Sequence, residues 1–249
     1  MVDGRRLVTA VLLTTATVAA AALVVAAQVV QATPAAAAIR TAASASTLYQ
    51  DALATTRSWS VHYDSASTES KVTLVESGNA GPASASQTVT MGKGTISILV
   101  IGGFSYVKGN VNGLESLAGL SATQAAETAG QWIEFSTDNA TFAAVVDGVR
   151  STDVGKELAL KAPLSLGRSR TLDGQVVDSI DGTQSFGKKS AHVVLYVRAK
   201  GTHVPVEEDS VNAKGQDTDA EHIVFSKWGE LVRPEAPKAT VSVGSISAV

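Results

Sequence analysis

From Ser190 to Pro237 the chain repeats one pattern. A run of β-branched and aromatic residues is followed by a turn, three times over. Ala191–Arg198 and Val204–Glu208 flank a Gly-containing turn, and His222–Ser226 follows a polar break and ends at Trp228-Gly229-Glu230. Period-two alternation of this kind fits strands wet on one face only, and short connections join such strands as antiparallel neighbours. A large antiparallel sheet is therefore the expected end of the fold.

Upstream, the same pattern recurs. Ala45, Leu48, Tyr49, Ala52 and Leu53 fall at helical spacing within Thr41–Ser58, which predicts an amphipathic helix. Trp59, Val61 and Tyr63 then alternate with polar residues as a strand, and Val72 and Leu74 share a face of the next. Ser77–Gly81 reads as a turn, and strands follow at Gln87–Met91, Thr95–Ile101 and Phe104–Lys108, broken by glycines. The middle differs. Asn110–Gly119 reads as loop, Ser121–Ala129 as a helix capped by Ser121, and Gln131–Ser136 as a strand. Asp138–Val149, with Phe142, Val145, Val146 and Val149 on one side, predicts a second amphipathic helix, and Ser151–Leu160 a weaker third. Strands resume near Leu164 and at Gln175–Asp181. Segregated helices and consecutive strands define an α+β fold with an antiparallel sheet.

The N-terminus bears on compartment. Arg5 and Arg6 precede an uncharged run that lasts to Arg40. As a helix, Leu7–Val30 would reach about 36 Å, enough for a hydrocarbon core of about 30 Å. The arginines orient it with the N-terminus inside and the remainder outside. Two readings stay open: a signal peptide cleaved in the Ala35–Ala38 stretch, or an uncleaved transmembrane anchor, which the length of the run favours. Residues 1–38 are accordingly the signal peptide or anchor with its tether, residues 39–240 one domain, and residues 241–249 a flexible tail. The expected location is extracytoplasmic, either membrane-anchored or secreted into the cell envelope.

Several chemistries lack their residues. The chain has no cysteine, which removes disulfides, thiol nucleophiles and thiolate zinc sites. A net charge of −3 offers no basic footprint for nucleic acid. His62, His192, His203 and His222 show no zinc-enzyme spacing. His203 with Glu207, Glu208 and Asp209 is the densest ligand-capable stretch, read as an exposed polar strand, and Asp217, Asp219 and Glu221 as a solvated turn. Gly103-Phe104-Ser105-Tyr106-Val107 shares the opening of a nucleophile elbow without its last glycine or its helix, and Gly92-Lys93-Gly94-Thr95 lacks the spacing of a phosphate loop. No catalytic residue, metal ligand or cofactor is assigned, and the chain is read as a non-enzyme.

The helix that leads into Ser58-Trp59-Ser60-Val61-His62, the Trp132-Ile133-Glu134-Phe135 unit, the Gly174–Gly182 segment and the Phe225–Pro237 ending together resemble actinobacterial envelope lipoproteins of the LppX/LprG type. The resemblance runs loosely over residues 41–238. It implies the LolA-like half-barrel, a strongly curved antiparallel sheet wrapped around helices, with an apolar cavity for acyl chains. The chain departs from this group in having an Ala-rich stretch where the lipid-attachment cysteine would stand.

On that fold, the apolar strand faces Ile96, Ile98 and Val100, and Val193, Leu195 and Val197, would line the cavity. Phe142, Val145 and Val146 would face the latter three from the second helix. The implied role is a carrier or chaperone for a lipid or acylated glycolipid, with membrane contact through the N-terminal segment. The alternative is a membrane-anchored envelope sensor or interaction module with the same fold, partnered by an envelope transporter or regulator.

Overall fold

The computed structural model describes residues 42–244 apart from 70, 140–141, 187–188, 213–218 and 243. The Arg5–Arg6 pair, the uncharged run and the signal-or-anchor segment lie outside the described residues. Among the described residues no helix is long and apolar enough to cross a membrane.

Helix α1 (Ala42–Ser58) leads into a meander of β1 (Val61–Glu69), β2 (Val72–Ala80), β3 (Ser84–Met91), β4 (Gly94–Ile101) and β5 (Phe104–Gly109). A helical insertion follows: α2 (Val111–Ser116), α3 (Ala122–Thr128), β6 (Ile133–Ser136), α4 (Ala143–Val146) and α5 (Ser151–Glu157). The chain then returns as β7 (Lys161–Leu166), β8 (Arg170–Leu172), β9 (Gln175–Phe186), β10 (Lys189–Arg198), β11 (Pro205–Asn212) and β12 (Asp219–Ser226). Strands β1 and β12 pair antiparallel, so two consecutive meanders fuse, with a short last strand β13 (Val241–Ser242), into one thirteen-stranded sheet, ordered β13-β6-β5-β4-β3-β2-β1-β12-β11-β10-β9-β7 with β8 on β9. The sheet is open. The helices cover its concave face, as the half-barrel expectation requires.

Strand β13 (Val241–Ser242) lies in the segment read as a flexible tail. It pairs parallel with β6, and the Val241 amide donates to the Trp132 carbonyl at 2.8 Å.

Three local readings are corrected. Ser77–Gly81 is not a turn, because β2 runs through to Ala80. Gly78 is there for close approach: a Cβ on it would lie 2.6 Å from the Tyr63 hydroxyl, whose ring crosses the strand at that point. Asn110–Gly119 is not a plain loop. The Asn110 side chain accepts from the Gly113 amide at 2.7 Å and so caps α2. Gly113 lets that helix lie against β4, since a Cβ would fall 2.3 Å from the Thr95 carbonyl oxygen.

Third, Asp138–Val149 does not form one long amphipathic helix. Among its described residues only Ala143–Val146 is helical, Phe142 gives no side-chain cap, Asp147 is already extended and Gly148 has φ 87°. The valines carry the apolar face but, being β-branched, add little helix propensity of their own. By contrast Ser121 caps α3 as read, in a reciprocal capping box with Gln124.

Gly113→Ala should destabilise the domain by about 1–3 kcal/mol or more, because the clashing atom is backbone and cannot swing away. Gly103→Ala, where an added Cβ meets nothing within 4 Å, should stay within about 0.5 kcal/mol. Urea denaturation of both variants checks this.

Candidate functional site: the concave face of the sheet

Register carries side chains of one face straight across the sheet. Val61, Tyr63 and Ser65 of β1 share a face with Leu74, Glu76, Gly78 and Ala80 of β2, with Ala85, Gln87, Val89 and Met91 of β3, and with Ile96, Ile98 and Val100 of β4. In the other direction that face continues through Ile223 and Phe225 of β12, Glu208 and Ser210 of β11, and Val193 and Leu195 of β10.

This face holds two apolar clusters. One gathers Ile96, Ile98, Val100, Val107, Ile133 and Phe135 from β4–β6 under Leu114, Leu117, Ala125, Phe142 and Val149. The other gathers Tyr49, Ala52 and Leu53 of α1, Val154 and Leu158, and Ile180, Leu195, Val197, Ile223 and Phe225 from β9–β12.

The nine expected cavity residues divide between these clusters. Ile96, Ile98, Val100 and Phe142 are buried in the first, with Val145 and Val146 half-buried against it. Leu195 and Val197 belong to the second, and Val193 is fully buried on the same strand, paired with Gly182 and Ser210. The expectation that α4 faces Val193, Leu195 and Val197 is therefore corrected. That position belongs to α1 and α5, for Leu195 and Val197 pack in one cluster with residues of both.

The second cluster is held by hydrogen bonds as well as by burial. The Tyr49 hydroxyl donates to the Leu158 carbonyl at 3.0 Å and accepts from the Leu160 amide at 2.6 Å. The Gln184 amide donates to the Glu157 carbonyl. The last carbonyls of α5, which have no partner within the helix, are thus met from α1 and β9. Burial raises the Tyr49 pKa above the ordinary phenol value; the Leu160 amide pulls it back and the Glu208 charge adds to the rise. The first cluster has no comparable pin at α4. There Phe142 stacks on Phe135 with centroids 4.7 Å apart, and α4 itself buries no residue.

Between the clusters the concave face is polar. Glu208, Ile223, Ser65 and Glu76 follow one another in register across β11, β12, β1 and β2. Glu76 is 5% exposed, Gln87 5%, Glu208 2%, and Ser65 and Ser210 are buried beside them. Ser65 Oγ donates to Glu221 Oε1 at 3.3 Å. The sequence reading missed this belt. It took Glu207-Glu208-Asp209 as one exposed run, whereas strand alternation sends Glu208 inward; the residue parity of β11 was the available signal.

The outer face carries a further group of ionisable side chains. His222 Nδ1 is 2.7 Å from Asp209 Oδ1, and Glu207 completes a group of potential metal ligands within 4.8 Å of one another. Arg170 already answers Glu207 at 2.5 Å while stacking 3.5 Å from the Tyr196 ring. His203 is not part of this group; its Nδ1 meets the Arg198 carbonyl at 3.0 Å. A shallow pocket of ≈ 290 Å³ lies where residues 227–234 cross β1–β3, lined by His62, Asn79, Lys227, Glu230 and Arg233 among others. Ser105 sits within β5, not at a strand-to-helix turn, so the nucleophile-elbow geometry does not form.

This architecture recurs among solved structures. The crystal structure of LprF from Mycobacterium bovis matches with a TM-score of 0.50 at 14% identity, over 78% of this chain and 96% of that one. The Mycobacterium tuberculosis lipoprotein LppX gives a TM-score of 0.49 at 16% identity, over 77% of this chain and 98% of that one. No family model and no curated protein matches the sequence. At these identities the likeness is one of fold, and the fold is the one that the sequence resemblance implied.

Tyr49→Phe should cost about 1–3 kcal/mol, because it leaves the Leu158 carbonyl and the Leu160 amide without their buried partner. A folded-state pKa above the unfolded one means that Tyr49 contributes fully below pH 10 and loses that contribution as pH climbs through the raised value. Urea denaturation at pH 8 and pH 11 should show the wild type losing more stability between the two than Tyr49→Phe does.

Proposed function

We propose that this protein binds the acyl chains of a lipid or acylated glycolipid outside the cytoplasmic membrane, as a carrier or chaperone and not as an enzyme. The observation that carries this reading is the asymmetry of the concave face. The side under α1 and α5 is pinned by the Tyr49 hydroxyl. The side formed by β4–β6 is covered by helices of six, seven and four residues, and the last of these buries no side chain. Each methylene removed from water there contributes about 0.8 kcal/mol, so an acyl chain needs no polar contact to bind.

On this reading Ile96, Ile98, Val100, Phe142, Val145 and Val146 form the acyl site, with Phe142 and α4 displaced by the ligand. Leu195 and Val197, with Val193 beside them, are core. The extracytoplasmic placement rests on Arg5, Arg6 and the uncharged run after them.

A second reading, an envelope sensor or interaction module engaging a transporter or regulator, draws on the sheet edge at β7, most of whose residues are exposed. Exposed strand edges accept added strands. A partner that co-purifies with the protein in place of lipid would favour it.

Two experiments test the leading reading. Val145→Trp should leave the thermal midpoint of the delipidated protein nearly unchanged and reduce the lipid retained, measured by mass spectrometry of organic extracts. Leu195→Trp should overpack the second cluster and cost about 1–3 kcal/mol. Equal destabilisation by both, or undiminished lipid in Val145→Trp, argues against an acyl site under α4. For location, a reporter fused after Val249 should be active only outside the cytoplasm.

A further inference from the structure

Six large apolar side chains are exposed among the described residues, and four of them, Trp59, Phe104, Val176 and Leu231, stand at one end of the strands. Antiparallel pairing defines that end. There β1, β3, β5, β9 and β11 start, and β2, β4, β6, β10 and β12 stop. Phe104 opens β5 and Val176 is the second residue of β9, each four strands from β1, which Trp59 precedes. Of the other two, Val75 lies mid-strand and Val111 follows the opposite end of β5. Exposed apolar residues scattered singly need no explanation, but a set gathered on one rim does.

Trp59 and Leu231 are held side by side on this rim. The Gly229 amide donates to the Ser60 carbonyl at 2.8 Å, the Ser60 hydroxyl donates to the Glu230 carbonyl, and a Cβ on Gly229 would lie 3.6 Å from the Trp59 ring. Leu231 is 71% exposed and Trp59 41%. Next to them, the ≈ 290 Å³ pocket is walled by Lys227, Leu231 and Arg233. The Ser84 hydroxyl fixes that wall by donating to the Val232 carbonyl at 2.7 Å. Lys227 and Arg233 are both exposed and, among the described residues, neither forms an ion pair. Asp138, Asp173 and Glu230 are exposed at the same end, so the rim is mixed in charge and its free cations sit beside the apolar pair.

We infer that this rim docks on the surface of an anionic phospholipid bilayer. Trp59 and Leu231 enter the interface, and Lys227 and Arg233 meet lipid phosphates, one of which the pocket admits. Indole rings favour that boundary, and long cationic side chains reach from an apolar surface to the head groups. A cationic pocket alone would suit any soluble anion; the exposed apolar pair at its lip selects a membrane. The purpose of docking rests on the acyl-binding reading. The chain leaves β6 at this same end, where the Thr137 amide donates to the Gly103 carbonyl at 3.0 Å, and runs on into α4. The least firmly held part of the cover thus follows directly from the rim that meets lipid.

The test mixes the full chain with vesicles of phosphatidylglycerol or phosphatidylcholine, brominated along the acyl chains, and follows tryptophan fluorescence. The tryptophans are Trp59, Trp132 and Trp228, all beyond the N-terminal uncharged run, so insertion of that run places none of them in the bilayer. Phosphatidylglycerol should quench the emission more strongly than phosphatidylcholine, and Trp59→Phe should remove most of the quenching. Lys227→Gln combined with Arg233→Gln should raise the lipid concentration for half-maximal quenching about tenfold or more. Leu231→Asp should raise it too. These positions are exposed, so the thermal midpoints should stay at the wild-type value.

No quenching in the wild type, or quenching undiminished in Trp59→Phe, overturns the inference. Equal titrations of the wild type, the double Gln variant and Leu231→Asp overturn it as well. Quenching at Trp59 without retained lipid supports docking and removes the acyl-binding reading; retained lipid without quenching does the reverse.

Discussion

An open sheet of thirteen strands has one face too apolar to be left wet and, among the described residues, no second sheet to cover it. The rest of the structure follows from how the chain covers that face with few helical residues. Helix α1 covers the β9–β12 side, and its buried positions are small where it lies nearest the sheet: Ala45 and Ala52 are fully buried. The Tyr49 hydroxyl then joins this first helix to the end of α5 and to the residue just before β7. One phenol therefore couples the start of the domain to the point where the chain enters its second meander. Hydrophobic burial gives no direction to such a contact; the two hydrogen bonds supply it.

The other half is covered differently. Its helices are short, and they hold their places through backbone proximity. Gly113 lets α2 rest on β4, and Gly94 receives it from the strand side. Asn110 and Ser121 start α2 and α3 with side-chain caps. At α4 these devices stop: no cap, no buried helical residue, and a single aromatic stack between Phe142 and Phe135. Few buried contacts and a short uncapped helix are the features of segments that open at low free energy. The half-barrel thus has a firm side and a yielding side, and the difference arises from the helices, not from the strands beneath them.

Much of this was legible in the sequence because strands write themselves in alternation. The run Ile96, Ile98, Val100 and the run Val193, Leu195, Val197 both face inward as read. Helix α1 begins and ends within a residue of its expected span. The failures share a cause. Gly78 looked like a turn residue and is instead a site of close approach to Tyr63, and Gly113 looked like loop and is a helix–strand contact. A glycine chosen for space and one chosen for backbone freedom are the same letter, and only the tertiary neighbour separates them. Trp59 was placed inside by the parity of Val61 and Tyr63, yet it precedes β1 and is 41% exposed. The site suffered most from distance. Nothing local says that Phe142 and Leu195 lie in different clusters, because that depends on which helix covers which strands.

The polar belt gives those two clusters their meaning. A sheet built only for stability would run its apolar face unbroken from β9 to β6, since each buried carboxylate or amide has to recover its lost hydration from a partner. Here Glu76, Gln87 and Glu208 interrupt that face where the two meanders meet. The belt lies between a pinned cluster and a yielding one. The order along the sheet is apolar and loosely covered, then polar, then apolar and locked, and it follows from which helices lie over which strands.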